Sequence, residues 1–321
     1  MDPLSDLLRI VRLDGAYFYP VEGAEPWGIE SVSAKELTPR ILPDAEHLFP
    51  YHFLLEGTCR GGLTADDQVE MAPGDVLIFP HGDRHVMSSG PVNRHDLHRF
   101  TADPFPTVQR LGPDGPLASR LMCGFLGCDL RPFNPLLAAL PRRMHMRGLS
   151  HTGFGEFARQ LALESSNGRA GAESVLTRLA ELMFIAAVRR YLDDLPPDRS
   201  GWLAGLRDEM VGRAMALIHA RPAHPWTLAD LAREVATSRS ALAKRFTDLI
   251  GQPPMQYLAQ WRMQVAANLL TSGNAKVAAI ASDVGYDSEA AFSRAFKKAT
   301  GSSPGAWREQ RRTSRRVTAV T

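Results

Sequence analysis

Hydrophobic and polar positions follow two different rhythms along this chain. From about residue 10 to about 105, runs rich in β-branched and aromatic residues, among them YHFLLEG, GDVLIFP and HVMSS, are cut apart by Gly, Pro and Asp. Many short strands at such spacing predict an antiparallel sandwich or barrel. Residues about 104–155 are interrupted by prolines and predict irregular chain. The period then lengthens: GEFARQLALESS, at 155–166, and a longer segment over roughly 172–194 show helical spacing. In the longer one Val175, Leu179, Leu182, Met183 and Ala186 form an apolar stripe, which Phe184, Ile185 and Val188 widen. A stripe that wide needs packing partners on more than one side: the β domain, a second copy of the chain, or both. LPPDRSG, at 195–201, is the linker signal, and the chain after it reads as almost wholly helical. The expected division is a domain over 1–195, a linker over 196–207 and a domain over 208–321.

The helical part repeats itself. LADLAREVATSRSALAKRFTDLIGQPPMQYL, from Leu228, matches VAAIASDVGYDSEAAFSRAFKKATGSSPGAW, from Val277. Leu231 and Val235 match Ile280 and Val284 at an offset of 49; Leu242, Phe246, Gly251 and Tyr257 match Phe292, Phe296, Gly301 and Trp307 at an offset of 50. The slip of one falls between the halves of each copy, where a turn tolerates an extra residue, so each copy predicts helix, turn, helix. Ser238 and Ser288 stand where N-caps belong, and Gly251 and Gly301 where the second helices end. MQYLAQWRMQVAANLLTSG, about 255–271, predicts a rigid spacer helix between the copies.

Charge sharpens this picture. The chain of 321 residues carries a net charge of only +2, yet from Asp208 onward 16 Lys and Arg stand against 9 Asp and Glu. The rest holds 21 against 26, so only the C-terminal part has the balance for a polyanion. In a helix-turn-helix the second helix enters the DNA major groove with its N-terminal half facing base edges. Two copies in a basic domain therefore predict binding to double-stranded DNA. The terminal run RRTSRRVTAV, 311–320, predicts a solvated, disordered end that adds nonspecific phosphate affinity. The longest unbroken apolar run in the helical half, LMFIAAV at 182–188, is far shorter than a membrane span, and MDPLSDLLRIVRLDG has no leader-like apolar stretch. A cytoplasmic protein without membrane contact is expected.

The stretch IASDVGYDSEAAFSRAFKKATGSSPGAWR closely resembles the C-terminal signature of AraC/XylS-family transcription regulators. That resemblance implies an all-α domain of seven helices with DNA-reading helices at 239–249 and 288–298. With helix geometry it places Arg239, Ser240, Ala243 and Lys244 on the DNA face of the first, and Ser288, Glu289, Ala290, Ser293 and Arg294 on that of the second. Lys244 and Arg294 have the chemistry to contact guanine or phosphate. Glu289 suits a cytosine amino group, and equally a helix N-terminus that favours an acid. The family also implies RNA polymerase as a partner and activation as the usual sign.

In the first half, Gly74, Pro80, Gly82 and His85 have the spacing of the second cupin motif, and LLEG at 54–57 resembles the end of the first. This resemblance implies a cupin-like β-barrel with accessory helices, serving as sensor and dimerisation domain. Metal-binding cupins place a glutamate where Pro50 stands and two histidines near Pro43–Glu46, where there are none. His52 and His85 are left as candidate ligands, with His81, His95, His98 and Cys59 in no compelling register. A metal-free, cofactor-free pocket is expected, with His52 and His85 as effector contacts. Three cysteines argue against a disulfide scaffold. Cys123 and Cys128, five apart across Gly-Phe-Leu-Gly, read as thiols on a loop flexible enough to pair if an oxidant is the signal. The leading expectation is therefore not an enzyme but a homodimeric DNA-binding regulator answering a small molecule. A redox-sensing regulator and a metal-dependent cupin enzyme fused to a DNA-binding domain are the alternatives.

Overall fold

The computed structural model describes residues 2–10, 13–43, 45–92, 97–100, 108–130, 132–148, 156–157, 160, 163–164, 169–196 and 198–318. His95 and most of the segment 155–166 lie outside the described residues. In chain order the first elements are α1 (Pro3–Ile10), β1 (Leu13–Gly23), β2 (Trp27–Ser31), α2 (Ala34–Ile41), β3 (His47–Gly57), β4 (Cys59–Gly62), β5 (Gln68–Met71), β6 (Val76–Ile78), β7 (His85–Ser89), β8 (His98–Phe100), β9 (Gln109–Leu111), β10 (Ser119–Cys128), α3 (Pro135–Ala139), β11 (Met144–Met146) and α4 (Ala172–Asp193). The chain forms two compact units, one of Leu13–Asp129 with Leu140–Asp194, the other of Met1–Arg12, Leu130–Ala139 and Leu195–Thr321.

The first unit is mainly sheet. One sheet runs β11-β6-β3-β10-β1-β9 and the other β5-β4-β7-β2-β8, antiparallel except at β1–β9 and β2–β8. Among the described strands the two sheets are not joined into one closed barrel. Alternation along each strand decides which side chains enter the space between them. Leu48 and Leu54 of β3, Leu77 of β6, Leu121, Cys123 and Phe125 of β10 and Tyr19 of β1 enter it and meet Cys59, Met71 and Met87 of the second sheet. Phe49 and Tyr51 face the other way, under α4, where Ala180, Met183, Phe184, Ala187 and Val188 are buried. The Phe49 and Phe184 rings stand 4.7 Å apart. Val175 and Leu182 of the same helix stay exposed, so the wide stripe is only half covered. The turn after β6 needs Gly82: its φ is +66°, and a Cβ there would lie 2.4 Å from Ala34 Cβ and 2.7 Å from the Leu48 carbonyl oxygen.

The second unit is helical: α5 (Trp202–Arg207), α6 (Glu209–Ala220), α7 (Leu228–Glu234), α8 (Arg239–Ile250), α9 (Pro254–Ser272), α10 (Val277–Asp283), α11 (Glu289–Thr300) and α12 (Pro304–Thr318) follow one another. Seven of these begin after Asp208, and α7–α8 and α10–α11 are the two repeats. Two expectations change. Part of the segment expected as linker is α5, whose Trp202 and Leu203 are buried in this unit because the indole needs a partner and finds one in Tyr257. The tail expected to be disordered continues α12 as helix to Thr318. The sequence division at 195 also misses that α1 and α3 belong with the helical unit.

The turns of the two repeats are superimposable in their hydrogen bonds. Thr237 N–H donates to the Ala232 carbonyl and Tyr286 N–H to that of Ala281, each at 2.9 Å. Asp287 is the extra residue, placed after this bonded core and before the N-cap. Ser238 and Ser288 cap α8 and α11 by accepting from Ala241 and Ala291 N–H, and Gly251 and Gly301 close them in the left-handed conformation. Arg262 of α9 ties the parts together: its guanidinium donates to the carbonyls of Pro222, His224 and Gly285. Burial depresses its pKa, and the Tyr286 ring lies 5.9 Å beneath it.

The equivalent turn residues Ala236 and Gly285 both have positive φ, at 54° and 80°. Alanine is strained there and glycine is not. Ala236→Gly should therefore stabilise the chain by about 0.5–1 kcal/mol, whereas Gly285→Ala should destabilise it by more than about 1 kcal/mol. The larger cost arises because the new Cβ would also meet the Ala223 carbonyl oxygen at 2.6 Å. Urea unfolding of both variants checks the opposite signs.

Candidate functional site

The two reading helices present their candidate residues on the side opposite the core. Leu242 and Phe246 of α8, and Phe292 and Phe296 of α11, are fully buried. Arg239, Ser240, Lys244, Ser288, Glu289, Ala290 and Arg294 are exposed, with Ala243 and Ser293 half-buried. All nine therefore lie away from the buried core of the unit. Ser288 has a second task, since its Oγ accepts the Ala291 N–H at 3.2 Å. Lys244 is engaged too: its Nζ lies 2.6 Å from Asp248 Oδ2, one turn further along α8. Asp208 caps α6 and also holds Arg245, with Nη2 at 2.8 Å. Neither acid was singled out from sequence. Thr227-x-x-Asp230, a reciprocal cap at the start of α7, was legible as a pattern and was missed.

In the sheet unit, His52 lies on β3 and His85 on β7, one in each sheet. Their Nε2 atoms meet at 2.8 Å across the interior. Cys123, cross-strand neighbour of His52 in β10, places its Sγ 3.0 Å from His52 Nδ1, and His85 Nδ1 lies 3.0 Å from the Asp83 carbonyl oxygen. Only one proton arrangement satisfies this chain with neutral rings. The carbonyl can only accept, so His85 carries its proton on Nδ1 and accepts at Nε2. His52 then donates from Nε2 and accepts at Nδ1 from the Cys123 thiol. Burial supports neutrality throughout: it holds His52 well below the usual imidazole value, lowers His85 to about 4, and pushes the Cys123 thiol well up.

As placed, these residues are hydrogen-bonded to one another rather than arranged around a shared metal ion. Two imidazole nitrogens bound to one tetrahedral zinc stand about 3.3 Å apart, and Cys123 approaches the opposite edge of the His52 ring. His81 is bonded to the Leu140 carbonyl oxygen, His98 is exposed on β8, and among the described residues no group of three or more His, Cys, Asp or Glu could hold a metal. Cys123 and Cys128 are corrected from a loop to a strand. Five residues of β10 span about 16 Å and place the two on opposite faces, beyond the reach of a disulfide. Gly124, read as a source of flexibility, is instead a packing necessity: a Cβ there would meet Tyr51 Oη at 2.5 Å. Cys59 is buried likewise, which pushes its thiol up to about 12. An open cleft of about 700 Å3 in this unit is lined by Glu25, Cys59, Arg60, Glu70, Asp75 and Arg147 and reaches neither His52 nor His85.

Comparison with known proteins gives matches over both units. A family profile described as cupin matches residues 2–193, more than half of the chain, and one described as a helix-turn-helix domain matches residues 231–310. A Streptomyces lividans protein described as an AraC-like transcription regulator is 31% identical, covering 96% of this chain and 98% of the relative. The RCS-specific transcriptional activator RclR of Escherichia coli K12 is 24% identical over 81% of this chain and 84% of the relative. Among solved structures, a DNA-binding transcriptional dual regulator from Escherichia coli K-12 is 30% identical over 34% of this chain and 96% of its own, with a TM-score of 0.32.

The buried imidazoles make the sheet unit sensitive to acid. Both are neutral when folded and titrate near 6.5 once unfolded, so unfolding takes up protons below that pH. Their contribution to stability is complete above about 6.5 and is lost as pH falls toward about 4. In His85→Gln, which keeps an acceptor for His52, the slope of unfolding free energy against pH between these values should shrink by up to one proton, about 1.4 kcal/mol per pH unit. Urea unfolding at several pH values gives both slopes; equal slopes would refute the burial-neutral chain.

Proposed function

The chain belongs to the family of AraC-like transcription regulators, and we propose that it acts as a cytoplasmic homodimer without catalytic activity of its own. Its cupin unit is the sensor and its duplicated helix-turn-helix unit binds DNA. The observation that carries the reading is the pair of capped reading helices with core aromatics behind and Arg239, Ser240, Ala243, Lys244, Ser288, Glu289, Ala290, Ser293 and Arg294 in front. We assign these nine to DNA contact. Activation through RNA polymerase is the sign we favour; the relative RclR is named an activator.

For the signal we favour a small organic molecule over an oxidant acting on Cys123 and Cys128; it engages His52 and His85 only by displacing the hydrogen-bonded chain that occupies all four of their ring nitrogens. Both thiols are buried, burial pushes that of Cys123 well up, and the extended strand between them holds them about 16 Å apart. The crossed geometry of His52, His85 and Cys123 favours a metal-free and cofactor-free interior, against a cupin enzyme. For the dimer we assign the uncovered side of α4, where Val175 and Leu182 are exposed. Among the described residues no helix is long and apolar enough to cross a membrane, which supports action in the cytoplasm.

Gel-shift titration with the chain's own upstream region tests the reading, which fails if no effector or salt condition yields a complex. Arg294→Ala should weaken binding by about 1–3 kcal/mol with an unchanged melting curve. Phe292→Ala should instead cost about 3–5 kcal/mol of stability. Leu182→Arg should convert the dimer to monomer in sedimentation while the sheet unit keeps its circular dichroism.

A further inference from the structure

We propose that the two reading helices divide the work of binding unequally, the second gripping the phosphate backbone and the first choosing sequence under the restraint of Asp248. The inference rests on the DNA-binding reading above. At the offset of 50 the charges of the two helices run in opposite order. Arg239 at the start of α8 corresponds to Glu289 at the start of α11, while Thr247 and Asp248 near the end of α8 correspond to Lys297 and Lys298. All six are exposed. In α8 the cations past the first turn are held by acids, Lys244 by Asp248 at 2.6 Å and Arg245 by Asp208 at 2.8 Å. In α11, Arg294, Lys297 and Lys298 have no ion-pair partner among the described residues.

Position along a reading helix decides what its charge meets. The N-terminal half faces base edges, and what lies beyond runs toward the backbone. Two lysines at that end of α11 attract any duplex, whatever its sequence. An acid at the same place in α8 repels any duplex and occupies Lys244. Only favourable contacts from Arg239 and Lys244 to matching bases, guanine in particular, offset that repulsion. Asp248 thereby lowers the first unit's affinity for every duplex and leaves the choice among sequences to Arg239 and Lys244. Glu289 works the other way, an acid at the base-facing end of a helix that is already anchored.

The test is a fluorescence-anisotropy titration of the full-length protein against a mixed-sequence duplex from about 50 to about 200 mM NaCl. Lys298→Gln should weaken binding about threefold or more and lower the slope of log affinity against log salt by about 0.9, the value of one phosphate contact. Lys244→Gln should weaken binding and lower the slope less than Lys298→Gln does. Asp248→Asn should strengthen binding by a similar factor and steepen the slope by about 0.9, and adding Lys244→Gln to it should restore the wild-type slope. Equal losses from Lys244→Gln and Lys298→Gln would overturn the division of labour. An unchanged slope in Asp248→Asn, with Lys298→Gln behaving as expected, would overturn the role of Asp248 and leave DNA binding standing. Failure of the wild type to bind at the lowest salt would count against the DNA-binding reading itself.

Discussion

A polar group sealed in an apolar interior must have each of its protons accepted, or the burial costs more than the contact returns. Both units of this chain are organised around that constraint. In the sheet unit it is met by Cys123, His52, His85 and the Asp83 carbonyl, which link one sheet to the other through the core. In the helical unit Trp202, Tyr257 and His219 meet it in part, His219 Nδ1 having no hydrogen-bond partner among the described residues. The indole can only donate, to Tyr257 Oη at 2.8 Å, and Tyr257 Oη and His219 Nε2 share a hydrogen bond of 2.7 Å. The imidazole then stacks on Trp261 with ring centroids 3.6 Å apart. In the sheet unit the Asp83 carbonyl can only accept, and that fixed role sets the direction of the rest of the chain.

Around Tyr257 the duplicated plan shows where the two copies must agree and where they are free to differ. Phe246 meets Tyr257 edge-to-face at 5.6 Å, and their counterparts Phe296 and Trp307 do so at 5.8 Å. These pairs clamp the end of each second helix to the helix that follows it. Behind the clamp the residues are interchangeable in kind. In front of it nothing holds them alike, and the charges diverge.

How much of this was legible in the sequence depended on whether the signal was local. The repeats, caps and reading faces rest on residues three or four apart within one helix, so spacing alone exposed them. Alternation in β3 likewise turned His52 inward. What stayed hidden was pairing between distant segments. That Cys123 lies beside His52 follows from the register of β10 against β3, which no local pattern records. Gly124 and Gly127 made β10 look like a loop, because the sequence does not show that Tyr51 occupies the space of a missing side chain. The acids Asp208 and Asp248 were overlooked because their partners, not their own neighbours in sequence, give them meaning.

The helical unit borrows from the first half of the chain. Phe133 packs edge-to-face on Tyr257, and its N–H donates to the buried Gln264 Oε1 at 2.9 Å. The helix α1 brings Asp6 to within 3.9 Å of His219. A fragment cut at the apparent boundary near residue 195 would leave the Gln264 carbonyl without its donor and one face of Tyr257 bare. Despite its tidy duplication, this domain is not a cassette that recombination could lift out and fuse elsewhere unchanged; it would carry an open seat for the segment left behind.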